Sequence, residues 1–380
     1  MRIAIDLSSL SDNFSGLERY ALELSRALIR ESGKHGDPAE FILVVKNFLP
    51  EMLKPLAKDK RVRFVRIRGK NKLIANQLTL PLTMARIPAD IYLFPAFPVP
   101  LLFHGKRSYA NIADLGCYDC PGCMTLKQRL FFRAGAKHSV RVCEKLVTIS
   151  AFSSGRIEHI LGVKKERQLL LYCGIRMPEK KTVSAERIAE VRERYRLPEK
   201  YWLSLCTLEP RKNLKLLIAA RRELTEEGVS LPTLVLAGRK GWLTEELFEG
   251  KDKCRDLLFP GFIGEADLPA LYAGAECFIF PSLYEGFGIP ILEAYAASCP
   301  VLLNYASCFP EVAEDAALFF HLDSQGKDSD LAQVMQAFLG WSDDERQQLI
   351  QRQRQRLAAF SWQKAATQLH HVYEEVLSHG

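Results

Sequence analysis

Short apolar segments alternate with amphipathic or polar segments along the first part of the chain. Residues 3–7 have the pattern of a buried strand, and an amphipathic helix is predicted from about Leu17 to Ile29, after the loop Ser11–Gly16. A strand, a glycine-bearing loop and a helix are typical of the start of a doubly wound domain. Further apolar strands are predicted at Glu40–Val45, Val62–Ile67, Ile91–Phe94, Tyr109–Ile112, Lys145–Ile149 and Leu169–Tyr172. This alternation predicts a parallel sheet with helices on both faces.

A second alternation follows the charged segment Met177–Lys200, in which a short helix is predicted after Ser184. Strands are predicted at Tyr201–Leu205, Thr233–Ala237, Leu257–Phe259, Cys277–Phe280, Val301–Leu303 and Ala317–Phe319. The intervening helices are predicted at Leu214–Leu224, Thr244–Phe248, Asp267–Tyr272 and after Pro290, and a last helix at Trp362–Leu377 with Ser361 as its N-cap. Because 380 residues exceed what one core usually carries, we expect two α/β domains.

The composition narrows the class of protein. Hydrophobic residues make up 48% of the chain, which is ample for globular cores, and no apolar run approaches the roughly 20 residues needed to cross a bilayer. The segment Met1–Leu7 begins directly as a strand, so we expect a cytoplasmic protein.

The ten cysteines are then expected to be reduced. Cys117, Cys120 and Cys123 have a spacing that could hold a metal or part of an iron–sulfur cluster; a loop with incidental or redox-sensitive thiols is the favoured interpretation, because Cys143 lies too far along the chain.

The net charge of +7 is modest, but the positive charges are placed unevenly. One group lies in the N-terminal region and comprises Lys54, Lys58, Lys60, Arg61, Arg63, Arg66, Arg68, Lys70 and Lys72. A second group repeats every four residues and comprises Arg129, Arg133, Lys137, Arg141 and Lys145. Such a spacing predicts a basic stripe on a helix, with Leu130, Phe131 and Ala134 on its apolar side. The stripe is either a solvated face or a surface attracted to an anionic membrane or a phosphate-bearing acceptor; no motif indicates nucleic acid.

The segment Phe280–Pro300 has the composition of an anion site. A buried strand leads to Glu285, then to a Gly-Phe-Gly loop, and Pro290 follows where the first helical residue is expected. Free backbone N–H groups and the helix dipole favour negative charge at such a helix start. Glu285 and Glu293 flank it, which suits a ligand with both phosphate and hydroxyl groups, such as a nucleotide sugar. The alternative is a surface carboxylate in a turn plus a glutamate in the first helical turn.

A second candidate loop, Thr207–Leu214, joins a predicted strand to its helix. Ligands of open α/β sheets gather at the carboxyl ends of strands, where this loop lies. Arg211 offers a planar fork of donors and Lys212 a point charge, a pair suited to clamping a diphosphate and neutralising it as it leaves. Adjacent basic residues in a turn are otherwise simply solvated.

The run Glu285–Pro290 together with Glu293 resembles the E-x7-E signature of family 4 retaining glycosyltransferases. The resemblance extends over most of the chain and also rests on the segments Gly16–Tyr20, Ala113–Asp114, Val147–Ser153, Glu209–Asn213 and Pro310–Ala313. It implies the GT-B fold, in which two Rossmann-like doubly wound domains face a central cleft. Residues 1–174 would then be the acceptor domain, with the C-terminal helix 361–380 packing back on it, and residues 175–360 the donor domain.

The resemblance also implies roles for individual residues. Arg211 and Lys212 would bind the diphosphate, Glu293 the ribose hydroxyls, and Glu285 the hydroxyls of the transferred sugar. The backbone amides of Gly286, Phe287 and Gly288 would lie close by. Phe262 and Ile263 match the segment that meets the nucleotide base, and Gly16 and Asp114 match donor- and acceptor-facing positions of the first domain.

One departure from the family pattern bears on the donor. Asn111–Leu115 resembles the family's His-Asp-Leu segment, but Ala113 replaces the histidine, which in relatives lies beside the sixth carbon of the donor sugar. The hypothesis is a donor without a 6-hydroxyl, such as rhamnose. A nucleotide-sugar-binding subunit with weakened catalysis is the alternative that the same residue raises. An epimerase or phosphorylase on the same fold also stays open.

The expected activity is therefore transfer of a hexose or deoxyhexose, with mannose or rhamnose favoured, from a nucleotide diphosphate sugar, with GDP favoured. The acceptor would be a glycan or lipid-linked glycan of bacterial O-antigen synthesis, and the protein would lie in the cytoplasm or at the inner face of the membrane. We expect no cofactor and no metal, because Asp328-Ser329-Asp330 precedes a helical pattern and is better explained by capping than by metal binding.

Overall fold

The computed structural model describes residues 1–11, 16–34, 39–69, 74–175, 183–241, 256–323 and 329–378. The chain divides into two compact units, Met1–Gly174 with Ser361–Gly380, and Ile175–Phe360. The predicted helix Thr244–Phe248, Lys70, Lys72, Asp328 and residues 12–15 of the predicted first loop lie outside the described residues. No described helix is both long and apolar enough to span a membrane.

In the described part of the first unit, seven strands form one sheet in the order β3-β2-β1-β4-β5-β6-β7, with neighbours parallel. The strands are β1 Arg2–Asp6, β2 Glu40–Lys46, β3 Val62–Ile67, β4 Ile91–Phe94, β5 Ser108–Asn111, β6 Cys143–Thr148 and β7 Gln168–Leu170. The α-helices are Gly16–Ser32, Leu80–Arg86, Gly116–Asp119, Leu126–Val142, Ala151–Leu161 and Trp362–Ser378. Shorter turns of 3-10 or π helix lie at Glu51–Lys58, Ala75–Thr79, Pro121–Cys123 and Lys165–Arg167.

The C-terminal helix Trp362–Ser378 belongs to the first unit, where it packs on the helix Gly16–Ser32. The Tyr20 and Trp362 rings meet edge to face with centroids 5.5 Å apart. A Cβ atom on Gly174 would lie 2.1 Å from the backbone nitrogen of Trp362, so only glycine fits where the chain leaves this unit. Ser361 caps the helix as predicted, since its Oγ accepts from the Gln363 N–H at 3.2 Å.

In the described part of the second unit, six strands form a sheet in the order β10-β9-β8-β11-β12-β13, again with parallel neighbours. The strands are β8 Tyr201–Leu205, β9 Thr233–Ala237, β10 Leu257–Gly261, β11 Cys277–Phe280, β12 Val301–Asn304 and β13 Leu318–Phe320. The α-helices are Ala185–Tyr195, Leu214–Glu226, Leu268–Ala273, Ile289–Ala296, Phe309–Ala313, Leu331–Leu339 and Asp343–Leu357, with 3-10 turns at Pro210–Lys212 and Glu265–Asp267.

The prediction of one continuous basic stripe with an apolar side is wrong. The helix ends at Val142, and Lys145 lies on strand β6. Arg133 turns inward, donating from Nε to the Cys117 carbonyl at 2.9 Å and lying 4.6 Å from the Tyr118 ring centre. Leu130, which the prediction placed on the apolar side, is 58% exposed, whereas the helix buries Gly135, Ala136 and Ser139. Only a glycine fits at position 135, because a Cβ atom there would lie 2.8 Å from Cβ of Pro98 in the loop after β4.

The structure corrects the expectation of reduced cysteines and specifies which residue of Asp328-Ser329-Asp330 caps the helix that follows. The structure joins Cys120 and Cys123 in a disulfide, so these two thiols are not reduced in it, while Cys117 is a buried free thiol. Capping by the segment Asp328-Ser329-Asp330 comes from Ser329, whose Oγ accepts from the Leu331 N–H at 3.4 Å. Asp330 occupies the N-cap position of the helix Leu331–Leu339, but its carboxylate accepts from the His321 N–H at 2.5 Å, which ties the end of the sheet to the helix start.

Candidate functional site

The second sheet reverses its strand order between β8 and β11, which lie side by side. Ligands of open α/β sheets bind outside the carboxyl ends of the strands at such a switch point. The chain leaves β8 into residues 206–213 and leaves β11 into residues 281–288. These segments meet, because the Leu283 N–H donates to the Arg211 carbonyl at 2.9 Å. The structure therefore brings together the two candidate loops that lie far apart in the sequence.

Arg211 is held by acceptors from both loops. Its Nε and Nη2 donate to Oε1 of Glu209 at 3.0 and 2.8 Å, and its Nη1 donates to the Tyr284 carbonyl at 2.8 Å and to Oε2 of Glu285 at 3.0 Å. Glu209 is well placed for this because its side chain is only 4% exposed and precedes the 3-10 turn Pro210–Lys212. The planar guanidinium is thus fixed before any ligand arrives.

Lys212 and Glu285 form a buried ion pair beside it. Lys212 Nζ donates to Oε1 of Glu285, and both residues are 8% exposed. The backbone N–H of Glu285 donates to Oγ of Ser307 at 3.1 Å, which holds the turn in place. Lys212 Nζ also lies 5.2 Å from the centre of the Phe280 ring, at the end of β11.

The charges around Glu285 decide its protonation. Burial alone would raise the pKa of its carboxyl group, but Arg211 and Lys212 outweigh burial and hold that pKa below its usual range. The neighbouring thiol behaves differently, since burial raises the pKa of Cys206 to about 12. At neutral pH, Glu285 is therefore an anion and Cys206 a neutral thiol, which makes a poor nucleophile.

The cluster of Glu209, Arg211, Lys212 and Glu285 can serve a ligand that carries both phosphates and hydroxyls. The guanidinium and the ammonium attract phosphate oxygens, and the carboxylates accept from hydroxyl groups. In the structure each cation is paired with a carboxylate, so the four side chains are electrically balanced. An incoming diphosphate adds negative charge and competes with Glu285 for the two cations. The predicted binding of the diphosphate by Arg211 and Lys212 is therefore coupled to the predicted binding of the sugar hydroxyls by Glu285.

The Gly-Phe-Gly loop is rigid for packing reasons. Phe287 is 2% exposed and its ring packs edge to face against Phe360, with centroids 5.4 Å apart. Gly288 has a φ of 91°, and a Cβ atom there would lie 2.9 Å from Cδ1 of Ile291. It caps the helix Ile289–Ala296, in which Pro290 lies at the start as predicted. Phe287 can therefore meet a ligand through its backbone and not through its ring, and Gly286 precedes it in the same buried turn.

Glu293 lies on the helix Ile289–Ala296, past its first turn, in which there is no acidic residue. Its Oε2 accepts from the hydroxyl group of Tyr272 at 3.1 Å. Tyr272 itself is 1% exposed, so its hydroxyl group holds the Glu293 carboxylate from within the protein interior. The alternative interpretation, a glutamate that stabilises the first helical turn, does not fit this position.

The two residues expected near a nucleotide base differ in exposure. Phe262 is 45% exposed, and the Arg239 guanidinium lies 4.4 Å from its ring centre. Ile263 is 3% exposed and belongs to the interior. Phe262 with Arg239 thus offers a flat surface suited to a base, whereas the Ile263 side chain does not.

In the first unit, the predicted residues have structural contacts of their own. Gly16 is the first residue of the helix Gly16–Ser32 and not a loop residue, and a Cβ atom there would meet nothing within 4 Å. Asp114 accepts from the Gly116 N–H at 2.9 Å, which shapes the turn after β5. The Ala113 carbonyl accepts from Oγ of Ser153 at 2.7 Å, so the position that departs from the family pattern has a fixed backbone.

Several contacting residues were not assigned roles from the sequence. Glu209 lies inside the recognised loop, and only its two bonds to Arg211 reveal its role. Tyr272 lies on the helix Leu268–Ala273, whereas Ser307 and Arg239 lie in the loops after β12 and β9, so no local spacing could have indicated them. Among the described residues, no group of three or more His, Cys, Asp or Glu side chains is arranged to hold a metal ion.

Comparison with known proteins shows what the part of the chain that carries this site is similar to. Residues 188–356 match the family described as glycosyl transferases group 1. The chain is 27% identical over 388 residues to O-antigen chain mannosyltransferase B of Escherichia coli, covering 98% of this chain and 100% of the relative. It is also 26% identical to O-antigen chain mannosyltransferase RfbU of Salmonella typhimurium, covering 84% of this chain and 87% of that one.

Among solved structures, HepE of Anabaena in complex with UDP and glucose matches this chain with a TM-score of 0.71 and 17% identity. The match covers 99% of this chain and 100% of HepE. The resemblance to family 4 glycosyltransferases is therefore confirmed, as is the GT-B fold class of two Rossmann-like α/β domains. The roles expected of single residues stay predictions.

Proposed function

We propose that the protein is a retaining hexosyltransferase that moves mannose from a nucleotide diphosphate sugar, with GDP as the nucleotide, to a glycan or lipid-linked glycan in O-antigen synthesis. The similarity over nearly the whole chain to O-antigen chain mannosyltransferase B supports the reaction class and the sugar. The UDP and glucose bound to HepE support a nucleotide sugar as the donor class.

The observation that carries the proposal is the fixed pair of cations at the switch point. Arg211 is held by Glu209 and by the Tyr284 carbonyl, and Lys212 lies against Glu285. A diphosphate that bonds to both cations would be stabilised as negative charge builds up on its leaving oxygen. Glu285, released from part of its ion pairing, would then accept from hydroxyl groups of the transferred sugar.

No side-chain nucleophile is required in this reaction. The Cys206 thiol beside the cluster has a pKa of about 12, and Glu285 is held by two cations. In the proposed front-face reaction the departing diphosphate helps to deprotonate the acceptor hydroxyl, and the protein contributes position and charge. Retention at the anomeric carbon and independence from metal are parts of this proposal.

Transfer of mannose by the purified protein tests the proposal. GDP-mannose and a mannose-terminated glycan should give a longer glycan and GDP, with EDTA leaving the rate unchanged. NMR of the new linkage should report the same anomeric configuration as in the donor. A parallel thermal-shift panel of nucleotide sugars measures binding by itself. Binding of GDP-mannose without any transfer would contradict the catalytic proposal and favour the binding subunit that Ala113 suggests.

A further inference from the structure

Two helical segments of the first unit expose large apolar side chains in the same pattern. On the helix Leu126–Val142, Leu126 is 59% and Leu130 is 58% exposed. Continuing along this face, Ala134, Lys137 and Arg141 are also exposed. Residues three and four apart share one face of a helix, so leucines occupy its first half and cations its second half.

The segment formed by Ala75–Thr79 and Leu80–Arg86 repeats this arrangement. Leu78 is 48% and Leu82 is 56% exposed, and the exposed Arg86 follows one turn later. The opposite side of the same segment buries Ala75, Leu80 and Met84. The segment therefore has two apolar sides, of which only one packs into the core.

The loop after β4, residues 95–107, joins the two helical segments. The Leu101 N–H donates to Oε1 of Gln77 at 3.0 Å, and the Val99 N–H donates to Oγ of Ser139 at 3.0 Å. Within this loop Leu101 is 42% and Leu102 is 58% exposed. Six exposed leucines thus lie on three elements that are bonded to one another: Leu78, Leu82, Leu101, Leu102, Leu126 and Leu130.

The charges of these three elements have a single sign. Residues 74–86, 95–107 and 126–142 contain eight Lys and Arg residues and no Asp or Glu, although the whole chain has 45 acidic residues. Of the cations, Arg86, Lys106, Lys127, Lys137 and Arg141 are exposed. Exposed leucines interspersed with cations are the composition of a surface that lies at the boundary of lipid headgroups and acyl chains.

We propose that these three elements, called here the leucine–cation surface, dock on a bilayer rich in anionic phospholipid. The leucines enter the interface and the cations meet the lipid phosphates. The absence of any acidic residue favours an anionic partner over a second copy of this chain, because two such surfaces would repel each other. This inference replaces the predicted basic stripe and does not depend on which sugar is transferred.

Sedimentation with vesicles tests it on the full chain. The protein should sediment with vesicles of equal parts phosphatidylcholine and phosphatidylglycerol, and much less with phosphatidylcholine alone. Leu82→Gln, Leu102→Gln and Leu130→Gln combined should weaken binding by roughly a hundredfold, since each buried leucine contributes strongly to interfacial binding. Lys127→Gln, Lys137→Gln and Arg141→Gln combined should weaken it by about a hundredfold at low salt, and by much less at high salt.

A matched control is Phe48→Gln with Arg63→Gln and Arg66→Gln, which removes an exposed ring and two cations elsewhere in the same unit. This variant should bind vesicles within about twofold of the original, apart from the small general effect of net charge. All changed residues are exposed, so the melting temperature should be preserved. Failure of the original protein to bind anionic vesicles overturns the proposal, as does unchanged binding of the leucine variant. Self-association that the leucine variant loses, without vesicle binding, would assign the surface to a second copy.

Discussion

In both units, the reversal of strand order brings a buried carboxyl group to the carboxyl ends of the parallel strands, and the two groups have opposite surroundings. Asp6 ends β1 and is 3% exposed, and its Oδ1 accepts from the Ser8 N–H at 2.9 Å. Burial raises its pKa, because only neutral groups of Ser8 oppose that effect. Glu285, which follows β11, is buried as well, but Arg211 and Lys212 lower its pKa.

The difference shows what the second unit adds to a shared topology. A buried carboxylate without a cation is costly, and at Asp6 only the hydrogen bonds of Ser8 offset part of that cost. At Glu285, Arg211 and Lys212 compensate for the loss of hydration of the carboxylate, and the same two cations can bind a ligand. Strand order alone provides an edge at which ligands can bind, and the charged side chains decide which edge attracts phosphate.

Removal of Lys212 should make the surroundings of Glu285 resemble those of Asp6. Lys212→Ala leaves Glu285 with Arg211 alone, so its pKa rises and the acid limb of the kcat profile moves to higher pH. Loss of one charge that stabilises the leaving diphosphate should lower kcat by about 10²–10³-fold. The measurement is sugar transfer as a function of pH, with GDP release as the readout.

The matched control is Lys215→Ala, which removes an exposed lysine from the following helix. It should retain transfer within about twofold, as expected for surface substitutions. An equal loss in both variants would show that general folding defects, and not the Glu285 pairing, cause the effect.

Glu209→Gln should have the second-largest effect, because it weakens the support of Arg211 without removing a cation. Glutamine can accept one bond from Arg211, but the ionic part of the two bonds at 3.0 and 2.8 Å is lost. We expect kcat/KM to fall by roughly tenfold, corresponding to one charge-assisted hydrogen bond. If Glu209 only positions Arg211, then Glu209→Gln combined with Arg211→Ala should be no worse than Arg211→Ala alone. Additive losses would contradict this role.

The sequence predicts the framework of these sites far better than their contacts. Each predicted strand is present, because short apolar runs in a doubly wound fold are buried on both faces and leave a clear pattern. The sequence predicts the helix Leu126–Val142 but not which side of it is buried, since the buried residues are the small Gly135, Ala136 and Ser139. Periodicity of large apolar residues cannot detect such a face.

The candidate site was predictable in part for the same reason. Arg211, Lys212 and Glu285 lie in runs that resemble a known family, so the sequence named them. Their mutual pairing depends on the adjacency of β8 and β11, which are separated by more than 70 residues along the chain. Ser307 and Tyr272 bond to Glu285 and Glu293 from other elements, and only the fold brings them there.

The pH dependence of stability compares the two carboxyl groups directly. For Asp6 the folded pKa lies above the ordinary value of 3.8, so its contribution to stability falls as the pH rises through that raised value. For Glu285 the folded pKa lies below 4.5, so its contribution is present above pH 4.5 and is lost as the pH falls through the lowered value. Asp6→Asn should therefore raise the urea midpoint relative to the original protein near neutral pH, and Glu285→Gln should lower it.

Urea unfolding between pH 2 and pH 8 measures both effects, because the Glu285 contribution is lost only below pH 4.5 and the Asp6 contribution falls only above pH 3.8. Each effect is expected to be about 1 kcal/mol, which is typical of single substitutions. The two variants serve as controls for each other, since each replaces one buried carboxyl group by its amide. For each variant, the difference in urea midpoint from the original protein is plotted against pH. If the two plots had the same slope, Arg211 and Lys212 would not give Glu285 a different pKa shift from that of Asp6. Opposite slopes are the expected result.

The smallest expected effect comes from adding a hydrogen-bond donor at Ala113, in the segment that follows β5 of the first unit. Ala113 is 9% exposed, and its carbonyl is held by Ser153, so a histidine there would keep its backbone position. If this residue faces the sixth carbon of the donor sugar, Ala113→His adds a hydrogen-bond donor for a 6-hydroxyl. The ratio of kcat/KM for GDP-mannose over GDP-rhamnose should then rise by about fivefold, the value of one net hydrogen bond. Ala113→Leu adds bulk without a donor and should leave the ratio unchanged or lower it. If Ala113→His instead favoured GDP-rhamnose over GDP-mannose, position 113 would not select between the two donors. The choice of sugar would then depend on the charged cluster of the second unit.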